Sequence, residues 1–492
     1  MYRSRSNDKL KDDVLSFLSS IDQDQSILYY DIVGSEAHSI MLHEMGHITR
    51  AELRKILSAL EEAKKSPAKL PNEGYEDIHE ALEAFVIKYA GIDAGGKMHI
   101  ARSRNDQVML DMRMKIRDDI NEICSALASL VDGFVQRAKE SKQVPMPMYT
   151  HLQQAQIGTF SHFLLSYAYA LMRDMERLYL VYHRINQSPL GAGAIGGSSI
   201  PIDRKRTAML LGFDSIIRNS IDATSSRDAF LEYASTLAIL TSTLGRIAED
   251  FIIWATTEFG YIELAEQYSS TSSAMPQKKN PDPLELTRAK AAIISSNLIS
   301  IFGIVKALPS GYSRDLQEIK PPLLGASATT FKIIKVMDAI VRSLQINKER
   351  MQQAAIMSYA ISLDIAEQLV MQKKVPFRTA HRIVGALVGK AASKGNLPLA
   401  KLEFADAASV LKTYKVNIKP DELMTIIYEM TPVKSLEARK SSGSPNLLEQ
   451  DEMIKSISEG VHNYCSGIQK RTQMVEHLFE NLEKTVKNYI ES

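Results

Sequence analysis

The chain has 492 residues, 45% of them hydrophobic and 24% charged, which is typical of a globular protein with two or three domains. Its 59 basic and 58 acidic residues give a formal net charge of +1, so no broad electrostatic attraction to nucleic acid or to an anionic membrane is expected. The two cysteines, Cys124 and Cys465, are too few for a disulfide framework or a thiolate metal site. The polar stretch MYRSRSNDKLKDD does not predict a signal peptide and no later stretch predicts a membrane span, so we expect a cytoplasmic location.

The pattern H-E-x-x-H occurs at residues 43–47 as HEMGH, in which two histidines one helical turn apart can hold zinc. Gly46 lies between the histidines, however, and Thr49-Arg50-Ala51-Glu52 has the form of a capping box that starts a helix. These signals predict that one helix ends near Gly46 and that another begins at Thr49, which separates the two imidazoles. No zinc site is therefore predicted.

Apolar residues recur at steps of three and four from Val108 to Phe134, which predicts one helix about nine turns long. Similar patterns fill four later stretches, 156–186, 228–259, 283–308 and 322–345. Helices this long bury their apolar stripes only against one another, so the sequence predicts an all-α protein with a central bundle of long helices. The simplest division has three domains, 1–107, 108–357 and 358–492, the last with shorter helical patterns broken at Pro376, Pro398, Pro420 and Pro432.

Residues 191–196, GAGAIG, match the G-x-G-x-x-G pattern of dinucleotide sites. Such a site requires a strand before the glycines and a helix that opens within them. Here the preceding residues 167–186 predict a helix, and Pro201 follows closely. We therefore expect a tightly turning loop, with Asp203 capping a short helix that runs to Leu211.

Residues 269–283, SSTSSAMPQKKNPDP, are the stretch most suited to chemistry. Four serines and a threonine favour neither a helix nor a strand, so a mobile loop is expected. Asp282 and Pro283 are typical of a helix start, with Asp282 as the capping residue. Lys278 and Asn280 would then lie beside the positive end of a helix dipole, which favours binding of a carboxylate or a phosphate.

Three further polar segments lie at predicted ends of the bundle: RSRNDQ at 102–107, THLQ at 150–153 and YSRDLQEIK at 312–320. Loops at the ends of rigid helices are where binding and catalytic residues concentrate. Together these segments supply several anion-binding groups and one candidate acid or base, His151.

The serine-rich loop, SSAMPQKKNPD at 272–282, resembles the signature of the fumarase and aspartase superfamily, whose members release fumarate from a succinyl-containing substrate. Within that superfamily the sequence is similar to the argininosuccinate lyase family over nearly its whole length. The motifs SRND and YSRDLQ distinguish this family from adenylosuccinate lyase, fumarase and aspartase. The other matching stretches are DIVGSEAH (31–38), EDIH (76–79), GGKMHIARSRNDQV (95–108), THLQQAQ (150–156), SPLGAGAIGGSSIPIDR (188–204), NSIDATSSRD (219–228), GYSRDLQEIK (311–320) and VPFRTAHRIVG (375–385).

The resemblance implies a three-domain fumarase/aspartase-like fold and cleavage of argininosuccinate to arginine and fumarate by β-elimination, in arginine biosynthesis. It implies Ser272 and His151 as the acid/base pair. The sequence does not assign the direction; we favour Ser272 as the base, with its alkoxide stabilised by Lys278, loop amides and the helix N-terminus. The positions that match the family's substrate-binding residues are Ser35, Asn105, Thr150, Asn280, Tyr312, Gln317 and Lys320, and Arg227 and Lys278 look like further carboxylate partners.

The resemblance also implies a homotetramer in which three subunits build each site, and it implies no metal and no organic cofactor. The chain departs from the family pattern at Thr271, where glycine is usual, and at His99-Ile100-Ala101, where His-Thr-Gly is usual. Two alternatives stay open. One is another fumarate-releasing lyase of the superfamily, such as adenylosuccinate lyase, and the other is a non-catalytic homologue like the lens crystallins.

Overall fold

The computed structural model describes residues 10–71 and 74–492, and this part of the chain is mainly helical. Before residue 104 the helices are α1 (Asp12–Leu18), α2 (Ile21–Asp24), α3 (Leu28–Glu44), α4 (Arg50–Lys65), α5 (Ile78–Ala90) and α6 (Ile92–Gly95). The long helices follow as α7 (Arg104–Glu140), α8 (Phe160–Ile185), α11 (Asp228–Ala255), α12 (Asp282–Val305) and α13 (Lys320–Ser343), with the short α9 (Arg204–Leu210) and α10 (Ser220–Ser225) between them. The last helices are α14 (Lys348–Met357), α15 (Ser362–Lys373), α16 (Phe377–Ser393), α17 (Phe404–Tyr414), α18 (Pro420–Glu429), α19 (Pro432–Ala438) and α20 (Leu447–Glu491).

Short strands form four two-stranded sheets in the described residues. The longest pair is an antiparallel hairpin of β1 (Pro145–Thr150) and β2 (Gln153–Thr159). The others are β3 (Gln187–Ser188) with β4 (Ser215–Ile216), β5 (Ile262–Glu263) with β8 (Gln345–Ile346), and β6 (Ser270–Thr271) with β7 (Lys279–Asn280). Strand β2 ends at Thr159, within the stretch for which the sequence predicted a helix from residue 156, so the predicted helix was four residues too long at its start.

The long helices pack on one another as the apolar stripes predict. Helix α7 contacts α8 and α13, and α11 contacts α8, α12 and α13. Their apolar residues belong to one continuous core, in which residues such as Ile116, Leu171 and Leu240 are fully buried. The predicted central bundle of long helices is confirmed.

The final helix, α20, is 45 residues long, which the sequence analysis did not predict. Its buried residues Ile454, Ile457, Ile468 and Leu482 belong to the core of the bundle, and α20 contacts α4, α7 and α8. A second core is built from residues of the shorter helices between residues 355 and 436. The three-part division of the chain stays a prediction, and its third part contains a helix that packs on the second.

Local signals position the ends of several helices. Thr49 and Glu52 form the predicted capping box at the start of α4, and Gly46 has a φ of +77° just after α3 ends. Asp203 caps α9 as predicted, through the backbone N–H groups of Lys205 and Arg206. The prediction for Asp282 was wrong: this residue is the first of α12 rather than its cap, and its carboxylate accepts a hydrogen bond from Ser270.

Helix α12 is long and apolar enough to cross a membrane by length and composition alone, and the bent pair α14–α15 passes the same test together, which the sequence analysis did not predict. Such evidence is weak, because core helices of soluble proteins pass too. Only 17% of the apolar window of α12 is buried in the protomer. Since α12 contacts α11 and α13 on one side, its other side is an exposed apolar face.

Candidate active site

A cavity of about 330 Å³ lies where the N-terminal helices meet the start of α7 and the segment before α13. Five of the predicted substrate-binding residues contribute to its wall: Asn105, Arg227, Tyr312, Gln317 and Lys320. They come from segments that are up to 215 residues apart in the sequence, between Asn105 and Lys320. The fold therefore brings this subset of the predicted site together within one protomer.

Lys320 lies at the base of this cavity and is only 4% exposed. Its ammonium pairs with the buried carboxylate of Asp24 and donates a hydrogen bond to Ser20 Oγ at 3.2 Å. A buried ammonium needs such a partner, so Asp24 supplies the counter-charge of Lys320 and holds it in position. Nearby, Gln317 Nε2 is held by the carbonyl of Leu18 at 3.2 Å.

Arg227 and Tyr312 form another polar face of the cavity, in addition to the Lys320 and Gln317 side chains. Arg227 is 4% exposed and donates from Nη1 to the carbonyls of Thr224 and Ser226, each at 3.1 Å. Burial lowers the pKa of Arg227 to about 10, which still leaves the guanidinium charged at neutral pH. Burial raises the pKa of Tyr312 and the nearby Arg227 opposes this, so the phenol is a neutral hydrogen-bond donor. This face can bind a carboxylate.

Ser35 is not part of the cavity wall, contrary to what the motif match suggested. It lies within α3, is fully buried, and accepts a hydrogen bond from Arg102 Nη1 at 2.9 Å. Ser20, which the sequence analysis missed, lines the cavity and contacts Lys320. No local motif marks Ser20, because its place in the site depends on how α2 packs beneath the segment before α13.

Thr150 and His151 lie at the tip of the β1–β2 hairpin and are exposed. Residues 151 and 152 form the two-residue turn, since Thr150 pairs with Gln153 and both turn residues have a φ of +56°. A turn with two positive φ values normally contains Asn and Gly, so a histidine and a leucine here are conformationally strained. The hairpin thus presents His151 outward, and neither Thr150 nor His151 lines the cavity of its own protomer.

Ser272 and Lys278 lie on the serine-rich loop between β6 and β7, and Asn280 lies in β7. The composition did not predict this strand pair, in which Thr271 pairs with Lys279. Ser272 Oγ accepts hydrogen bonds from the backbone N–H groups of Ala274 at 3.2 Å and Met275 at 3.1 Å. These two bonds form a local serine turn, and amides that donate to one oxygen favour negative charge on it. Lys278 is exposed, and the Asn280 side chain contacts Ser270 Oγ at 3.5 Å.

The structure holds the two histidines of HEMGH apart. The ring of His43 contacts the carbonyl of Ile48 at 3.0 Å, whereas His47 contacts the carbonyl of Pro201. Each imidazole therefore already has a backbone partner on a different segment, as expected from the helix end at Glu44.

A different buried group, Asp31, His79 and Asp111, has the side chains of a metal site among the described residues. His79 Nδ1 lies 3.0 Å from Asp31 Oδ2 and 3.4 Å from Asp111 Oδ2. Burial raises the pKa of Asp31, but the neighbouring His79 has the opposite effect, and the net result is a lowered pKa. The pKa of Asp111 is raised, first by burial and second by the negative charge of Asp31. The protonated form of Asp111 is therefore favoured beside the ionised Asp31.

Comparisons with known proteins agree over the whole chain. The lyase family matches residues 10–295, and the C-terminal family of argininosuccinate lyases matches residues 359–428. The argininosuccinate lyase of Nitrosopumilus maritimus (strain SCM1) is 47% identical over 490 residues, with 100% of both chains covered. The chain belongs to the argininosuccinate lyase family. Another member, from Methanocaldococcus jannaschii, is 39% identical with 98% of both chains covered.

The fold of this family member is also that of a solved lyase. An EDDS lyase in complex with formate has a TM-score of 0.89 and 30% sequence identity, with 97% of this chain and 94% of that chain covered. The predicted family and the predicted fumarase/aspartase-like helical fold are both confirmed. Of the two departures from the family pattern, Ala101 has a φ of +60°, where glycine fits without strain, whereas Thr271 lies in a strand that a β-branched residue favours.

Proposed function

We propose that this chain cleaves argininosuccinate to arginine and fumarate. The observation that carries the proposal is the pair of backbone N–H groups on Ser272 Oγ, because elimination needs a base and serine becomes one only when its alkoxide is stabilised. The relatives named argininosuccinate lyase support the choice of substrate.

In this mechanism Ser272 removes the proton from the carbon beside a substrate carboxylate. The product of that step is a dianionic aci-carboxylate, which needs a strong cationic environment. Lys278 beside Ser272 and the charged Arg227 are suited to that task, Lys as a point charge and Arg as a bidentate fork. His151 then donates a proton to the guanidino nitrogen, directly or through water, as the C–N bond breaks, so that arginine leaves and fumarate remains.

The remaining predicted residues bind the substrate. Asn105, Tyr312, Gln317 and Lys320 do so from the cavity wall, while Thr150 and Asn280 do so from the hairpin tip and the serine-rich loop. Ser20 takes the place of Ser35 in this set, because Ser20 lines the cavity and Ser35 is buried in α3. No metal and no organic cofactor takes part in these steps.

We further propose that the active form is a homotetramer with each site built by three subunits. Two observations support this. Neither His151 on the hairpin tip nor Ser272 on the serine-rich loop lines the cavity of its own protomer. The outer side of α12 also carries apolar residues that are 48% to 71% exposed: Leu286, Ile293, Ile299 and Phe302. A bundle of these helices from several subunits would bury that face and bring the segments together.

A complementation experiment tests the shared site. Ser272→Ala removes the loop's base and Asn105→Leu removes a cavity amide, so each variant alone is expected to release fumarate much more slowly than the wild type. In hybrids formed by mixed refolding, some sites combine an intact loop with an intact cavity, and fumarate release should return. The control pair Ser272→Ala and Lys278→Met lies on one loop and should show no such recovery. Hybrids of the first pair that release no fumarate would exclude a site shared between subunits.

The cellular setting follows from the reaction. An enzyme that forms arginine and fumarate from argininosuccinate belongs to arginine biosynthesis, and we place it in the cytoplasm. A comparison of argininosuccinate with adenylosuccinate as substrates tests the assignment within the superfamily, since a preference for adenylosuccinate would favour that lyase instead. Absence of activity towards both would favour the crystallin-like alternative.

A further inference from the structure

The carboxylate of Asp106 connects the start of α7 to the glycine-rich loop at 189–197. Asp106 is fully buried, and its Oδ1 accepts a hydrogen bond from the backbone N–H of Ser103 at 2.8 Å. Its Oδ2 accepts two more, from the N–H of Gly191 at 2.9 Å and of Gly193 at 2.8 Å. One side chain therefore satisfies three backbone donors on two segments that are about 85 residues apart.

The loop holds its shape only with glycine at these contacts. Gly193 has a φ of +66°, and a Cβ at this residue would lie 2.8 Å from the carbonyl oxygen of Gly197. Arg204 Nε also donates to the loop, to the carbonyl of Leu190 at 2.9 Å. Asp106 and Arg204 thus both donate or accept hydrogen bonds with the loop backbone, and the close approach at Gly193 leaves no room for a larger residue.

The same loop also contacts Asn105, the residue that precedes Asp106 in the sequence. Asn105 lines the cavity, and its Nδ2 donates to the carbonyl of Ala194 at 2.9 Å. The position of the Asn105 amide therefore depends on where the loop carbonyl lies, and that in turn depends on the two hydrogen bonds to Asp106.

We propose that Asp106 is a positioning residue for substrate binding, which acts by holding the glycine-rich loop and the Asn105 amide at the rim of the cavity. The inference rests on the proposed function, since it assigns Asn105 to substrate binding. Asp106 itself does not line the cavity, so its contribution reaches the substrate through Asn105 and the loop.

The substitution Asp106→Asn tests whether the hydrogen bonds of the carboxylate, and not merely the volume of the side chain, hold the loop in place. Asparagine has nearly the same shape, but it has one acceptor oxygen where aspartate has two. The amide oxygen can face either the loop or Ser103, and the amide NH₂ then meets a backbone donor on the other side. Arg102 and Arg204 are the charged groups that face the carboxylate, and both remain in the variant.

We expect Asp106→Asn to raise the KM for argininosuccinate roughly 10- to 100-fold, the effect of losing one hydrogen bond to a charged acceptor, while kcat changes much less. Hydrogen exchange at the amides of Gly191 and Gly193 should be faster in the variant, a readout that does not depend on turnover. The variant Gly193→Ala disturbs the loop without touching the carboxylate and should reproduce the rise in KM.

The matched control is Gly395→Ala. Gly395 also has a positive φ, of +87°, but it has open space around it and lies far along the chain in the shorter-helix region. The KM of Gly395→Ala should equal that of the wild type.

The proposal is overturned if Asp106→Asn leaves KM unchanged, or if kcat and the melting temperature fall together without a separate effect on KM. If Asp106→Asn does not fold, an unchanged KM in Gly193→Ala overturns it. A wild-type protein that does not turn over argininosuccinate refutes the proposed function instead, and exchange at Gly191 and Gly193 still tests the anchoring by Asp106.

Discussion

Leu152 at the tip of the β1–β2 hairpin is the residue whose substitution best tests the proposed assembly. Its φ of +56° costs a residue with a Cβ about 1–2 kcal/mol, whereas glycine loses only about 0.5–1 kcal/mol of chain entropy on folding. In an isolated protomer Leu152→Gly should therefore raise the free energy of unfolding by up to about 1 kcal/mol. Leu152 is 65% exposed there, so little apolar contact is lost.

If the hairpin tip is inserted into another subunit, we expect Leu152→Gly to destabilise the assembly instead. Burying a leucine completely contributes about 1.5–3 kcal/mol, and with 65% of the residue still exposed about 1–2 kcal/mol remains to be gained on assembly. Leu152→Gly should then weaken association roughly 5- to 30-fold for each tip, and it should lower activity because His151 is on the same turn.

Sedimentation velocity over a dilution series, with fumarate release measured on the same samples, separates the two cases. The matched control is Lys374→Gly. Lys374 has a φ of +54° at an exposed helix end, so glycine relieves the same kind of strain at a site without a proposed role. If Leu152→Gly resembles Lys374→Gly, with greater stability and unchanged association, the hairpin tip does not lie in an interface and the reasoning is refuted.

Three further predictions concern stability. Burial raises the pKa of Glu36 to about 8, so the stability that its protonated form contributes is complete below about pH 4.5 and is lost as the pH rises through about 8. Melting curves of Glu36→Gln should lack this loss of stability. Identical pH profiles for the wild type and the variant would contradict the prediction. Ala101→Gly should raise the free energy of unfolding in urea by up to about 1 kcal/mol by relieving its positive φ, and a lower value would refute the strain argument. Asp24→Asn should cost about 3–5 kcal/mol in the same assay because the buried ammonium of Lys320 loses its counter-charge; a loss below about 1 kcal/mol would show that the pair contributes little.

The long helices of the bundle could be predicted because their apolar residues follow the helical period over many turns. The same signal exists in α20, where Ile468, Val475 and Leu482 recur every seven residues, but the prolines up to Pro432 favoured shorter helices for the whole C-terminal part. The β1–β2 hairpin was missed for a physical reason. Its turn is formed by a histidine and a leucine rather than by Asn and Gly, so the usual turn signal is absent.

The candidate site could be predicted in part. Motif matches found Asn105, Tyr312 and Lys320, and the fold places them around one cavity. Ser20 was missed, and the motif match pointed to Ser35, because the hydroxyl of the residue just before α2 reaches the cavity only through tertiary packing that no local pattern encodes. The anchoring role of Asp106 was equally invisible, since it joins backbone groups that are about 85 residues apart.

Fumarate release from argininosuccinate, measured side by side for wild-type protein and Ser272→Ala, tests the central claim most directly. The wild-type protein should release fumarate, and Ser272→Ala should do so about 10²–10⁴ times more slowly, the usual contribution of a positioned base. Near-normal release by Ser272→Ala would remove this serine from the mechanism. Absence of release by the wild type would contradict the proposed function itself.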